Sequence, residues 1–426
     1  MSAKPSPPNP VARPRAQRSQ QVARHAADLR GAAQLASDAT AGLTDLVEAM
    51  HERIARLPVL GRADAGGRTR GITGLVYRSI RGVTRVVGGS VNALLGLLAP
   101  ALDSAAPLPA PRPEREAVIA ALNGVLGDYL AGTHNPLATA MALRCDGQAL
   151  VLNRDALNAQ FPDARGALIV MVHGLCMNDL QWLRNGQDHG LALARSLGLT
   201  PLYLHYNSGQ HISINGRELA ALLEQLLAHW PHPVQRLVLL CHSMGGLVAR
   251  SALAQAQAAQ QRWTSKLSDL IFLGTPHQGA PLERAGHGVD LLLSATPYAA
   301  PMARLGKLRS AGITDLRHGY LRDEDWIGRD SFERGPDRRL PLPLPKGVRC
   351  FAVAASLGSD DADPKHSLLG DGLVPVDSAL GRHAEPALTL AFPRSRQWVC
   401  HGINHLDLLS RPQVMTQLSR WLTRPA

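Results

Sequence analysis

The sequence predicts an α/β protein, with helices on both faces of a mostly parallel sheet and a helical extension at its N-terminus. Three observations carry this expectation. Apolar runs of strand length recur from about residue 140 onward, with helix-patterned segments between them. Several of the runs are continuous instead of alternating, as strands covered on both faces require. The first 139 residues show helical spacing and no such alternation.

Taken in order, residues 1–20 form a Pro/Arg-rich arm with no apolar core of a secretory signal. Residues 21–139 read as a helical region. Leu43, Leu46, Val47, Met50 and Ile54 recur at spacings of three and four, and a Gly/Arg-rich break follows at 61–71. The stretch Ile72 to Leu102 begins basic and ends in seventeen uncharged residues, Val86 to Leu102. These suit a buried hairpin or an interfacial membrane helix better than a span. A Pro/Ala linker covers 103–114. Beyond it Val118, Ile119, Leu122, Val125, Leu126, Tyr129 and Leu130 make one amphipathic helix face.

The α/β domain is expected over 140–426. It opens with a hairpin at Met141 to Leu152, turning at Asp146-Gly147. Strands are expected at Ala167–Val172, Pro201–His205, Leu237–Cys241, Leu270–Leu273 and Val348–Ala354, with a last one inside Ala387–Cys400. Helices fill 178–196, 216–230 and 244–259.

The formal net charge is +11, and residues 1–85 hold +8 of it, with fourteen Lys or Arg against six Asp or Glu. A basic excess at one end favours an anionic surface. Because no helix-turn-helix, zinc-finger or RRM signature occurs, a membrane surface is the expected partner and nucleic acid is not. The bland reading is a solvated arginine-rich tail. Five widely spaced cysteines without a C-x-x-C pair argue against a disulfide framework and structural zinc. The expected location is cytoplasmic, including the membrane periphery. No cofactor and no metal are expected.

Chemistry concentrates at Leu237 to Arg250, L-V-L-L-C-H-S-M-G-G-L-V-A-R. An apolar strand runs into Cys241-His242-Ser243-Met244-Gly245, and a helix follows. This is a nucleophile elbow in all but its first position, where Cys241 replaces Gly. Such a turn forces Ser243 into a strained backbone and exposes its hydroxyl above the sheet. A serine needs a base. Asp371, between Gly370 and Gly372, is the expected carboxylate, with Asp361, Asp363 and Asp377 as competitors. His405, expected to open the last helix, is the candidate base, and His401 is its rival. Asp407 reads as a helix-start carboxylate. Oxyanion donors are expected at the N–H of Met244 and at the N–H of Leu175, in the loop His173-Gly174-Leu175-Cys176.

With V-H-G-L at 172–175, C-H-S-M-G-G at 241–246, G-T-P-H-Q-G-A at 274–280, G-D-G-L-V-P-V at 370–376 and I-N-H-L-D-L-L at 403–409, the region resembles the α/β-hydrolase superfamily. Within it, the sequence is similar to bacterial lipases and GPI inositol-deacylase-like esterases. The resemblance implies a serine hydrolase cleaving carboxylic esters. Ser243, Asp371 and His405 would form its triad, Leu175 and Met244 its oxyanion hole, and an ester or lipid its substrate. It also implies that the insertion between about 279 and 346 forms a cap or lid, against the plainer reading of a surface excursion. Asp323 to Arg339, strongly charged, reads as solvated loop. Gly274-Thr275-Pro276-His277 reads as structural, not as a nucleotide site. Some bacterial lipases hold Ca²⁺, but no ligands for it can be placed here. Trp182, Trp230, Trp263 and Trp421 are expected as core or interface residues, not as a binding platform. The alternatives are a membrane-associated interaction protein with a hydrolase fold and little turnover, or an acyltransferase using the same triad.

Overall fold

The computed structural model describes residues 28, 30–32, 34, 35, 113–280, 310–328, 337 and 339–423. The expected N-terminal arm, the helical pattern of 43–54, the 72–102 stretch and the linker up to 112 lie outside the described residues. So do residues 281–309 and 329–336 of the expected cap or lid insertion. Among the described residues no helix is long and apolar enough to cross a membrane.

The chain divides into two units: Met1–Pro109 with Asn135–Leu137, and Ala110–His134 with Ala138–Ala426. In the first, residues 28, 30–32, 34 and 35 are helical, and the Gly31 carbonyl accepts a hydrogen bond from Asn135 Nδ2 at 3.0 Å.

The second unit is built on an eight-stranded sheet. Its strands are β1 (Ala142–Cys145), β2 (Gln148–Ala149), β3 (Ala167–Val172), β4 (Thr200–His205), β5 (Arg236–His242), β6 (Leu267–Leu273), β7 (Arg349–Ser356) and β8 (Gln397–His401). The spatial order is β2-β1-β4-β3-β5-β6-β7-β8. β1 runs antiparallel to β2 and β4, and every other neighbouring pair is parallel. Asp146 and Gly147 both have positive φ (49° and 72°), the hairpin turn that an Asp-Gly pair favours. The central strands are buried along nearly their whole length, which is why their sequences are unbroken apolar runs.

The helices are α1 (Pro113–Gly132), α2 (Arg154–Gln160), α3 (His189–Leu197), α4 (Ile212–His229), α5 (Met244–Ala258), α6 (Ala311–His318), α7 (Pro364–Leu369), α8 (Val376–Ala379) and α9 (Pro412–Thr423). One side of the sheet packs a core of Trp182, Leu193, Val238, Ile271, Phe351, Leu418 and Trp421. Trp182, Trp230, Trp263 and Trp421 are all buried, as expected.

Several expectations need correction. The division expected between residues 139 and 140 falls after a helix that belongs to the α/β unit. α1 is tied to β1 by Glu116–Arg144 (2.9 Å) and to α6 through Asp128, whose Oδ2 accepts from the Ala311 N–H at 2.8 Å. α1 has no single apolar face. It is buried all round from Glu116 to Val125, whereas Tyr129 is 41% exposed. The helix expected over 178–196 is two pieces, a 3₁₀ turn at Asp179–Trp182 and then α3. Asn185 and Gly186 take positive φ between them, and Asp188 caps α3 by accepting from the Leu191 N–H. The region expected as solvated loop, Asp323 to Arg339, is packed in part: Glu324, Ile327, Gly328 and Asp337 are exposed as expected, but three neighbours are engaged. Asp323 accepts from Ser213 Oγ at 2.6 Å, Trp326 stacks on His211 at 3.6 Å, and Asp325 is 3% exposed. The charge of Asp323 serves helix α4's first turn.

Candidate active site

All the candidate residues lie beyond the C-terminal ends of parallel strands, where open α/β sheets place their clefts. β5 ends at His242, and Ser243 turns the chain into α5 with φ 54° and ψ −128°. Left-handed φ on a non-glycine residue is costly and is held here by the surroundings. The Ser243 N–H donates to the Leu273 carbonyl at 2.8 Å, fixing the turn on β6. Cys241 is the departure from Gly. It is fully buried in β5, and burial raises its thiol pKa. The Ser243 side chain makes no capping bond to α5, so its hydroxyl is not engaged by the helix.

Two glycines allow the close approach. A Cβ on Gly174 would sit 2.9 Å from Ser243 Cβ, and one on Gly245 would sit 2.4 Å from the Val172 carbonyl oxygen. The loop after β3 and the start of α5 are thus pressed together. Met244, at the first turn of α5, has an N–H without an intrahelical acceptor. Among the described residues the Leu175 N–H makes no hydrogen bond either.

Asp371 and His405 are both buried, with Asp371 Oδ2 2.6 Å from His405 Nδ1. A carboxylate only accepts, so Nδ1 carries the proton and Nε2 presents a lone pair. Asp371 Oδ1 accepts the N–H groups of Leu373 (2.9 Å) and Val374 (2.7 Å), which fixes the carboxylate. The His405 N–H donates to the Asp371 carbonyl at 3.1 Å. His405 Nε2 is buried and has no partner among the described residues, so its bond to Ser243 is not made in this state. A Cβ on Gly274 would lie 3.0 Å from His405 Cε1, and Gly274 follows the Leu273 whose carbonyl holds Ser243. Ser243 and His405 therefore flank the same strand end.

The structure differs from expectation at two places. Ser243 is 2% exposed, so its hydroxyl is not presented to solvent. His405 opens a 3₁₀ turn, His405–Leu409, and not the last helix, which begins at Pro412. That turn is capped by Asn404, with Asp407 Oδ2 accepting the Asn404 N–H. The rivals are elsewhere. His401 lies 3.3 Å from Asp361, Asp363 caps α7, and Asp377 faces Arg382 at the surface.

His242 was missed as a site residue. Its Nε2–H donates to the His405 carbonyl at 3.2 Å, and the two rings lie 4.7 Å apart. Burial, then the neighbouring His405, hold its pKa well below that of free histidine. His242 is thus a neutral strut between the nucleophile turn and the His405 loop. His173 is likewise neutral. Burial lowers its pKa to about 3, it donates to the Gly174 carbonyl, and it stacks on Tyr206 at 4.3 Å. Nothing in the residue types alone separates such struts from bases.

Residues 163–334 match the family model described as the PGAP1-like alpha/beta domain, a span that includes Leu175 and Ser243 and ends before Asp371 and His405. The match agrees with the mostly parallel sheet flanked by helices. Solved structures similar to the chain include the mature lipase BlEst2 of Bacillus licheniformis, at 19% identity and TM-score 0.38, over 60% of this chain and 91% of that one. They also include a Pyrobaculum calidifontis esterase (13%, TM-score 0.37, over 61% and 75%) and the Pyrococcus furiosus esterase PF2001 (12%, TM-score 0.36, over 62% and 82%). Among curated protein sequences none matches.

Proposed function

We propose that the protein is a serine hydrolase that cleaves carboxylic esters through an acyl-enzyme on Ser243. The observation that carries this reading is the buried Asp371–His405 pair, whose free Nε2 belongs to the loop flanking the strained Ser243 turn. In the proposed reaction Nε2 takes the Ser243 proton as Oγ attacks the ester carbonyl. The N–H groups of Leu175 and Met244 hold the oxyanion, and Asp371 stabilises the imidazolium. Collapse passes the proton to the leaving alcohol. Water, deprotonated by His405, then releases the acid. Catalytic hydrogen bonds are commonly unmade until substrate is bound, so the unpaired Nε2 fits this scheme. With Ser243 at 2% exposure, ester entry requires the site to open.

Hydrolysis of p-nitrophenyl esters from C2 to C16 by the wild type and by Ser243→Ala tests the reading. Turnover by the wild type, abolished in the variant, is expected. A preference for long chains marks a lipase, and one for short chains an esterase. Turnover that survives in Ser243→Ala contradicts the assignment. The basic excess in residues 1–85 supports docking on an anionic bilayer, where lipid esters are concentrated. Flotation of the full chain with anionic but not neutral vesicles is expected, and equal recovery in both opposes it.

A further inference from the structure

A second cluster of chemistry stands beside the candidate active site, outside the machinery just described. β7 and β8 pair up to Ser356 and His401, and the chain then leaves β7 through the loop S-L-G-S-D-D-A-D at 356–363. That loop folds over the end of β8, where the Gly402 N–H donates to the Gly358 carbonyl at 2.9 Å. Three carboxylates lie within it, and two are occupied by the turn itself. Asp360 Oδ1 accepts from Ala362 and Asp363 N–H groups, and Asp363 accepts from Ser359 and Lys365. Asp361 points instead at two imidazoles. Its Oδ1 lies 3.3 Å from His401 Nε2 and 3.8 Å from His366 Nε2. The two rings are stacked with centroids 5.3 Å apart, and the three ligand atoms all lie within 4.8 Å of one another.

Those separations fit coordination of one ion. Ligands about 2.0–2.1 Å from a tetrahedral zinc lie about 3.3 Å apart. The present spacings contract to that by small side-chain rotations, which the 84% exposed Asp361 can make. Two imidazole nitrogens with one carboxylate suit zinc and its neighbours in the transition series, whereas calcium and magnesium take oxygen ligands.

We propose that Asp361, His366 and His401 form a zinc-class metal site, with water as fourth ligand. The ion would fasten the loop and helix that precede Asp371 to the strand end that leads into His405. Asp371 lies five residues beyond His366, and His405 four beyond His401, so the metal would hold the two segments that carry the buried pair. It would act through them and touch no reacting atom. The site stands on coordination geometry alone and does not depend on the ester-hydrolase reading. No metal was expected from spacing along the chain, because the ligands lie up to forty residues apart.

Titration of the metal-stripped full chain with Co²⁺, followed by its visible d–d bands and by displacement with Zn²⁺, tests the site. One equivalent with the intense bands of a four-coordinate ion is expected, together with a metal-dependent rise in thermal midpoint. Asp361→Asn, at an exposed position, keeps the fold by circular dichroism and weakens binding at least tenfold. His366→Ala and His401→Ala abolish the bands, whereas His229→Ala, at an exposed helix end, leaves them unchanged. Absence of the bands in the wild type overturns the proposal. So does the same stoichiometry and affinity in wild type and Asp361→Asn.

Discussion

Gly124→Ala on helix α1 separates two accounts of where that helix belongs. A Cβ at this position would lie 2.2 Å from Cys176 Sγ, 2.9 Å from Cys176 Cα and 3.0 Å from its backbone nitrogen. Cys176 cannot simply retreat. It holds φ 58°, its N–H donates to Ser208 Oγ at 3.0 Å, and its thiol is buried enough for its pKa to be pushed up to about 12. In a free-standing helix Gly→Ala stabilises by about 0.5–1 kcal/mol. Forcing a methyl into a packed contact costs about 1–3 kcal/mol. The contact wins, for a net loss of about 0.5–2 kcal/mol and a thermal midpoint lower by about 1–8 °C. Since Leu175 precedes Cys176, the displaced loop also misaims the proposed oxyanion donor, and kcat for a p-nitrophenyl ester falls by as much as about 10²-fold with KM little changed. Thermal melts and steady-state kinetics read both effects. Adding Cys176→Ala removes the nearest atom and recovers part of the midpoint. A midpoint that rises in Gly124→Ala, with kcat unchanged, would refute the packing of α1 on this loop.

Three further outcomes follow. Asp371→Asn keeps an acceptor for the Leu373 and Val374 N–H groups but turns a donor toward His405 Nδ1, moving the imidazole proton to Nε2. Ester turnover then falls by about 10⁴ with the melt nearly unchanged, as for the same exchange in a serine-protease triad, and a loss under tenfold contradicts the role. Stability falls on acidification. The pKa values of His173, His242 and His277 are held below the free value by burial, that of His173 at about 3, so between pH 6.5 and 3 the unfolded chain binds protons that the folded chain does not. Each contributes up to about 1.4 kcal/mol per pH unit in that window, or about 3–4 kcal/mol for the three from pH 6 to 5. Denaturant midpoints that stay flat from pH 7 to 5 would oppose it. Ser310→Ala removes the cap of α6 and a 2.7 Å bond to the Gly124 carbonyl, and costs about 1–2 kcal/mol in a urea melt; no change would mean that this junction bears no load.

How much the sequence disclosed depended on whether the signal was local. Strands β3, β5, β6 and β7 stand where largely apolar runs put them, because burial on both faces writes itself into consecutive residues. The strained turn at Ser243 was readable from one strand–turn–helix segment, and the meeting of Asp371 with His405 from their loops. The hairpin turn at Asp146-Gly147 was readable from its residue pair. Other features are set by partners distant in the chain. The small residues Gly124 and Gly127 that seat α1 look like helix-weakening glycines until Cys176 and Asn207 are placed against them. Asp323 and Arg217 look like solvent charges until they meet, 2.6 Å apart. The break in 178–196 was written locally, in Asn185-Gly186, and the apolar periodicity around it concealed it.

The most direct test of the account is covalent labelling with an alkyl fluorophosphonate, read by peptide mass spectrometry on the folded full chain. The account predicts one phosphonylated serine, Ser243, with labelling lost in Ser243→Ala and slowed by orders of magnitude in His405→Ala. A folded wild type that stays unlabelled, or that carries the adduct on another serine, would contradict it.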